Sequence, residues 1–355
     1  MNSGRTGANL TAIASALNVS TATVSNALSG KGRVSAELTE KVRQKAAELG
    51  YVPSVAGRAL RTGKSGVLGL VLPDIANPLF PQIAQAIEKA AAAAGYGVLI
   101  ADSHGDVAMQ TQAINRLIER GVEGMVVVPR RGTRIGTVDC PVAVIDSPST
   151  PGNTVSADHW EGGHQVGRHL AELGHDRVVI IGNNPDSNVQ NDRIGGIRSG
   201  LTNAAHTEIV WISALEKQNG AGCPLGVADK VAQGFTAFAA VSDLHALRVL
   251  TELQRDGINV PEQATVTGFD DLIWAPVVTP ALTTIRMDMA RIADVAITAL
   301  VRSIDMESPD NSPVSGGVVA DISKVVMELI VRHSSGPNNK KQANNKTSTA
   351  GERTS

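Results

Sequence analysis

From residue 66 onward, short apolar runs alternate with longer stretches of helical period, and this alternation limits the fold more than any other feature of the chain. Val67–Leu72, Tyr96–Ala101, Met125–Val128, Val142–Ile145, Val178–Ile181, Ile209–Ile212, Ala237–Val241 and Val266–Phe269 read as strands. A strand that is apolar on both faces is stable only in a sheet covered on both sides. Pro78–Ala94, Val107–Arg120, Trp160–Leu173, Val189–Leu201, Val227–Gln233 and Leu244–Arg255 read as the covering helices. Several of them stop at a glycine: Gly95, Gly121, Gly174 and Gly257. The predicted class is α/β with parallel sheets. Two such sheets in about 270 residues imply a two-lobed body.

Parallel sheets hold ligands at the carboxyl ends of their strands, and polar residues gather there in this chain. Asp74 and Asn77 follow the first strand and Asp146 the fourth. Ser187 and Arg193 follow the Gly182 strand end, and Ser242-Asp243 and Asp270-Asp271 end the last two strands. Asp158 is open to two readings, a helix cap in Asp158-His159-Trp160-Glu161 or a ligand contact. Arg193 and Asp270 read as ligand contacts or as an ion pair that closes the cleft. Such a set suits a hydroxyl-rich or heterocyclic ligand. Phe80, Trp160 and Trp274 are candidates to stack on its faces, with Trp274 read first as wall.

The first 64 residues are a different object. Asn9, Ser20 and Ser35 are capping residues for three short helices. Leu10, Ile13, Ala14 and Leu17 point inward from the first, Val24 and Leu28 from the second, and Leu38, Val42, Ala46 and Leu49 from the third. The break at Asn18-Val19 is very short, which is the layout of a helix-turn-helix reader. The outward positions of the second helix are small and polar: Thr21, Ala22, Thr23, Ser25 and Asn26. They can approach base edges, Asn pairing with adenine and Thr or Ala touching a thymine methyl. Residues 1–64 hold nine Lys/Arg against three acids, while the rest hold 23 against 31, so a net charge of −2 conceals a basic head on an acidic body.

Val19-Ser20-Thr21-Ala22-Thr23-Val24-Ser25-Asn26-Ala27-Leu28, Val34-Ser35 and Glu48-Leu49-Gly50-Tyr51-Val52-Pro53 resemble the headpiece of the LacI-type regulators. Pro53-Ser54…Arg58-Ala59-Leu60 resembles that family's hinge helix, with Gly57 where the family usually has Ala. Pro73–Phe80, Arg193-Ile194-Gly195-Gly196, Gly268-Phe269-Asp270-Asp271 and Leu282-Thr283-Thr284-Ile285 resemble motifs of its body, and the likeness runs from about residue 9 to about 332. Ser242 and His159 stand where Asn is common.

The resemblance implies a three-helix headpiece (9–52) after a disordered start (1–8), then a hinge helix (53–63). The body (66–332) is implied to resemble periplasmic binding proteins. Its lobe 1 would comprise about 66–157 and 284–312, its lobe 2 about 158–281 and 313–332, with a disordered tail at 333–355. The DNA contacts implied are Asn9, Ser20, Thr21, Ala22, Thr23, Ser25 and Asn26 of the headpiece and Ser54, Arg58 and Leu60 of the hinge. Leu60 would wedge into the minor groove, or act as a linker residue packed on the body. Partners are then a pseudo-palindromic operator, a second copy of the chain and a small effector, and the function is ligand-controlled repression.

Two cysteines, Cys140 and Cys223, fit no metal spacing. No cofactor loop, metal motif, leader or membrane-length apolar run is present, so a cytoplasmic protein without cofactor or metal is expected. A solute-binding protein would explain the body but not the basic head. An α/β enzyme would need a nucleophile–base pair that the chain does not display.

Overall fold

The computed structural model describes residues 9–29, 33–51, 64–131, 133, 135, 138, 140–146, 152–201, 205–306 and 323–339. The expected hinge helix with Ser54, Arg58 and Leu60 lies outside them, as do the expected unstructured ends at 1–8 and 340–355. Residues up to Ser65 and from Gly66 onward form two separate compact units.

The first unit has three helices, α1 (Leu10–Leu17), α2 (Thr21–Ser29) and α3 (Ala36–Glu48). Each begins at an oxygen that accepts an otherwise unpaired amide. Asn9 Oδ1 accepts from Ala12 N at 2.9 Å, Ser20 Oγ from Thr23 N at 3.0 Å and Ser35 Oγ from Leu38 N at 3.2 Å. Asn18 closes α1 in the left-handed region, φ 52°, which makes the turn short. Ile13, Ala14, Val24, Ala27, Val42 and Ala46 form the core. Leu49, expected inward, is 41 % exposed. It is the C-cap of α3, at the helix end just before the chain turns at Gly50, φ 63°.

The second unit begins with β1 (Val67–Leu72), α4 (Leu79–Ala93), β2 (Gly97–Asp102), α5 (Val107–Glu119), β3 (Gly124–Val127), β4 (Val142–Val144) and β5 (Val155–Ala157). The four strands β2-β1-β3-β4 form one parallel sheet, and an Ile145–Val155 bridge carries it to β5. The chain then builds α6 (His159–Glu172), β6 (Arg177–Gly182), α7 (Asn188–Gly200), β7 (His206–Trp211), α8 (Ile212–Asn219), α9 (Val227–Ala232), β8 (Ala237–Ala240), α10 (Asp243–Arg255), β9 (Thr265–Thr267) and β10 (Thr284–Met287). A second parallel sheet has the order β7-β6-β8-β9, with a Thr267–Thr283 bridge toward β10. The chain returns to the first lobe through α11 (Met289–Met306) and β11 (Ser323–Val325), then ends the framework with β12 (Met327–Ile330).

The lobe boundaries differ from expectation in two places. β10 pairs antiparallel with β12 in lobe 2, so the return crossing falls after Met287 and not near 284. β11 pairs with β5 in lobe 1, so the last crossing is at Val326 and not near 313. Ile212, expected to end a strand, is the first residue of α8, with its side chain buried. The 18-residue α11 was not read from the sequence at all. Residues 333–339, expected in a disordered tail, are a strap on lobe 2. Ser334 Oγ donates to Val266 O at 2.7 Å, and Asn338 N donates to Leu173 O at 2.9 Å. Polar composition suggested solvation there, but the backbone and hydroxyl groups find partners on the lobe, which is what allows polar chain to be buried.

Helices α6 and α7 approach with almost no side chain between them. A Cβ at Gly163 would stand 2.2 Å from Arg193 O, and one at Gly196 would stand 2.0 Å from Trp160 O. Gly167 and Gly200 repeat the contact one turn on, at 2.1 Å from Ile197 O and 2.2 Å from His164 O. We expect Gly163→Ala and Gly196→Ala each to lower the thermal midpoint by several degrees. Overpacking costs about 1–3 kcal/mol after the helices shift, more than the roughly 1 kcal/mol that alanine gains over glycine in a helix. Calorimetry of each variant checks this; an unchanged or raised midpoint would mean that the helices separate freely.

Candidate functional site

Two surfaces carry chemistry, one on each unit. On the first, α2 keeps Val24 and Ala27 in the core and leaves Thr21, Ala22 and Asn26 exposed, with Thr23 and Ser25 half-buried. Asn9 and Ser20 are exposed and serve as helix caps. The face therefore offers short donors and acceptors on a helix fixed by its neighbours. Among the described basic residues, Lys41 and Lys45 pair with Glu37 and Glu48 on α3.

On the second unit a cavity of about 400 Å³ lies at the carboxyl ends of both sheets. Lobe 1 supplies Asp74, Asn77 and Phe80 after β1, Arg130 after β3 and Asp146 after the Ile145 bridge. Lobe 2 supplies Asn183, Asn184, Ser187 and Gln190 after β6, Ser242 and His245 after β8, and Asp270 after β9. His159 and Arg193 enter from α6 and α7. The strand ends position most of them, and helix starts do the rest. Ser187 Oγ accepts from Gln190 N at 3.4 Å and Ser242 Oγ from His245 N at 3.3 Å, so both serines cap a helix while facing the cavity. Gln190 Oε1 accepts from Asn183 N at 2.7 Å and from Asn184 N at 3.2 Å, which sets the rim of lobe 2.

Arg193 is the centre of the arrangement. It is buried and lies 2.9 Å from Asp270 Oδ1. It donates to Val241 O at 2.6 Å and through Nε to His159 Nδ1 at 3.4 Å, and its guanidinium sits 4.0 Å above the Phe269 ring. Accepting that bond requires a neutral imidazole. Burial and then the Arg193 charge hold His159 well below its ordinary range. His245 is pushed down to about 4 by burial and by Arg248, against the pull of Glu216. Asp270 takes φ 110°, a strained backbone for a residue with a side chain. Burial raises its carboxyl to about 6 although Arg193 pulls it down. Behind it, Asp243 is raised to about 7, by burial first and by Asp270 second. It accepts from Thr284 Oγ1 at 2.5 Å and Leu272 N at 2.7 Å.

Asp74, Asn77, Phe80, Asp146, Ser187, Arg193, Ser242 and Asp270 thus meet at one cavity. Two expected residues do not. Trp160 packs its ring on Gly195 on the outer side of α6 and is half exposed. Trp274 belongs to a turn in which its carbonyl accepts from Val277 N and Val278 N, and it is not part of the cavity wall. Asp158 also lies off the wall; it caps α6 at Glu161 N, 3.3 Å, and sits 3.5 Å from Lys324. Arg130, His159, Asn183, Asn184, Gln190 and His245 line the cavity without having been picked from the sequence. The strand-end rule that found Asp74 would have found Arg130, Asn183 and Asn184. Gln190 and His245 lie within helices and carry no such signal. Among the described residues there is no cluster of metal ligands and no helix long and apolar enough to cross a membrane.

A carboxyl whose folded-state value is raised binds protons more tightly when folded, so its ionisation destabilises the fold as pH rises. For Asp243 that loss falls between its ordinary range and about 7. Asp243→Asn removes it. We expect the melting temperature of the variant, relative to the wild type, to become more favourable from about pH 5 to about pH 8. A difference that stays constant across that range would place Asp243 outside the titration.

The first unit matches the family model described as bacterial regulatory proteins, lacI family, over residues 9–54. Residues 168–335 match a periplasmic binding protein-like domain. The HTH-type transcriptional regulator DegA of Bacillus subtilis is 27% identical over 342 residues, covering 92% of this chain and 98% of that protein. The ribose operon repressor of Haemophilus influenzae is 28% identical, covering 82% and 90%. The transcriptional repressor PurR of Aliivibrio fischeri is 28% identical, covering 81% and 88%. Among solved structures, the Lac repressor bound to ONPG superposes with a TM-score of 0.75 at 23% identity, covering 92% of this chain and 99% of that one. A CelR–cellobiose complex superposes at 0.64 and 22% identity, covering 92% and 100%. These likenesses establish a shared fold.

Proposed function

We propose that this chain is a regulator of the lacI type, on the strength of the family matches to its two units and its likeness to named transcriptional regulators, and that it represses transcription from an operator under the control of a small ligand. The observation that carries this reading is the pairing of an exposed helix-turn-helix face with a polar cavity between two parallel sheets, built around Arg193 and Asp270. The relatives it resembles are named as transcriptional regulators, and on that ground the cavity is read as a binding site.

The ligand is sugar- or nucleoside-like. Amides and hydroxyls of Asn77, Asn183, Asn184, Ser187, Gln190 and Ser242 suit hydroxyl groups, and Phe80 offers one apolar face. Named relatives include a ribose operon repressor and PurR, and a neighbouring structure holds cellobiose. Binding between the lobes changes their angle about the three crossings, after Ala157, after Met287 and at Val326. That change alters DNA affinity through the residues that connect the units. The coupling is reciprocal, so operator DNA must change ligand affinity by the same factor. A headpiece reads too little sequence alone, so the working species is a homodimer on a pseudo-palindrome. Its place of action is the cytoplasm.

Asn26→Ala is expected to cost about 1–3 kcal/mol in operator affinity and to relax base preference at one position. Gel-shift titrations of operator and random DNA measure both; equal weakening on the two would make Asn26 a backbone contact. A thermal-shift screen of the full chain against sugars, nucleosides and purines tests the cavity. A ligand at about 100 times its dissociation constant adds about 2.7 kcal/mol. If such a compound raises the midpoint but leaves operator binding untouched, ligand control is excluded.

A further inference from the structure

Arg130 lies in lobe 1 on the wall of the cavity, and its guanidinium is unlike the other charges there. The segment carrying it is tied down. Gln110 is fully buried; its Nε2 donates to Val128 O at 2.9 Å and its Oε1 accepts from Arg130 N at 2.8 Å. The guanidinium lies against Gly105, where a Cβ would stand 2.6 Å from it. Gly105 also has φ 75°, so this loop both needs a glycine and leaves room for the arginine.

The surrounding acids are engaged elsewhere. Asp102 pairs with His104 at 3.0 Å, Asp106 caps Met109 N at 2.8 Å, and Asp74 Oδ1 accepts from Ala76 N at 2.9 Å. Among the described residues Arg130 makes no ion pair, and its Nε is buried without a hydrogen-bond partner. The other cavity arginine, Arg193, is neutralised by Asp270. Arg131, next in the chain, is exposed, faces Asp186 at 3.7 Å and is not part of the wall. Leaving buried donors of a charged group unsatisfied is costly, and a planar guanidinium is matched by a planar or tetrahedral oxyanion.

We infer that the effector carries an anionic group, a carboxylate or a phosphate, that Arg130 receives, while its hydroxylated part sits among the amides of the opposite lobe. This rests on the ligand-controlled reading above and narrows it. A phosphorylated sugar and a sugar acid share the chemistry.

The test is calorimetric titration of the full chain with matched probes: ribose and ribose 5-phosphate; glucose, glucose 6-phosphate and gluconate; adenosine and AMP. The expected result is binding of a charged member about tenfold or more tighter than its neutral partner, as a hydrogen-bonded ion pair supplies. Arg130→Gln abolishes that preference, Arg130→Lys restores part of it, and Arg131→Gln leaves it intact. Preference for a phosphate or for a carboxylate member identifies the source. A neutral compound that binds as well as its charged partner and shifts operator affinity overturns the inference and leaves ligand control standing. Equal preference in Arg130→Gln and wild type also overturns it. Absence of binding by every probe, neutral or charged, counts against both readings.

Discussion

The Arg193–Asp270 ion pair is the interaction on which the body of this molecule is organised. Two charges removed from water are tolerated only when each finds close partners, and Arg193 has four: a carboxylate, a carbonyl, an imidazole and an aromatic face. That set is assembled from α6, α7 and the ends of β8 and β9. It exists because the glycines of α6 and α7 let the two helices touch backbone to backbone. Move α7 outward by the width of a methyl group and Arg193 no longer reaches Val241 and His159 together. Helix packing and site chemistry are therefore one constraint.

The electrostatics of the cavity follow from burial. Both histidines on its wall are driven toward the neutral form, so neither contributes charge near neutral pH. Asp270 and Asp243 are both raised by desolvation, and the Asp270 charge adds to the cost of ionising Asp243. What remains is a set of amides and hydroxyls placed among apolar side chains such as Leu79, Ile83, Met287 and Met289, with the Arg193 charge matched inside the protein. Such a surface favours ligands that replace water hydrogen bonds one for one, which is how polyhydroxylated molecules are distinguished. Against that background Arg130, which makes no ion pair among the described residues, stands out.

Much of this was legible in advance, for a stated reason. Parallel strands buried on both faces must be apolar throughout, so β1, β6 and β8 declare themselves. Their carboxyl ends must then carry the polar residues, so Asp74, Asp146, Ser242 and Asp270 could be chosen by position. Capping follows local rules, and Asn9, Ser35, Ser187 and Ser242 all accept the amide that such a residue should accept. Phe80 lines the cavity, but the two tryptophans do not, because stacking depends on direction. Trp160 is one residue from His159, yet α6 turns one toward the cavity and the other onto Gly195. The strap at 333–339 was misread because its polar groups are satisfied by Val266, Leu173 and Gly174, residues distant in the chain.

The sequence by itself determined the class of the fold, the separation of a basic head from an acidic body, and most of the polar positions that meet at the cavity. These depend on local periodicity, capping and charge. Only the tertiary structure decided which side chains face one another: that Arg193 is committed to Asp270 while Arg130 is not, that the histidines are silent, and that β11 and β12 belong to different lobes. Those outcomes depend on distances between residues far apart in the chain and on the water excluded between them, and no local pattern encodes either.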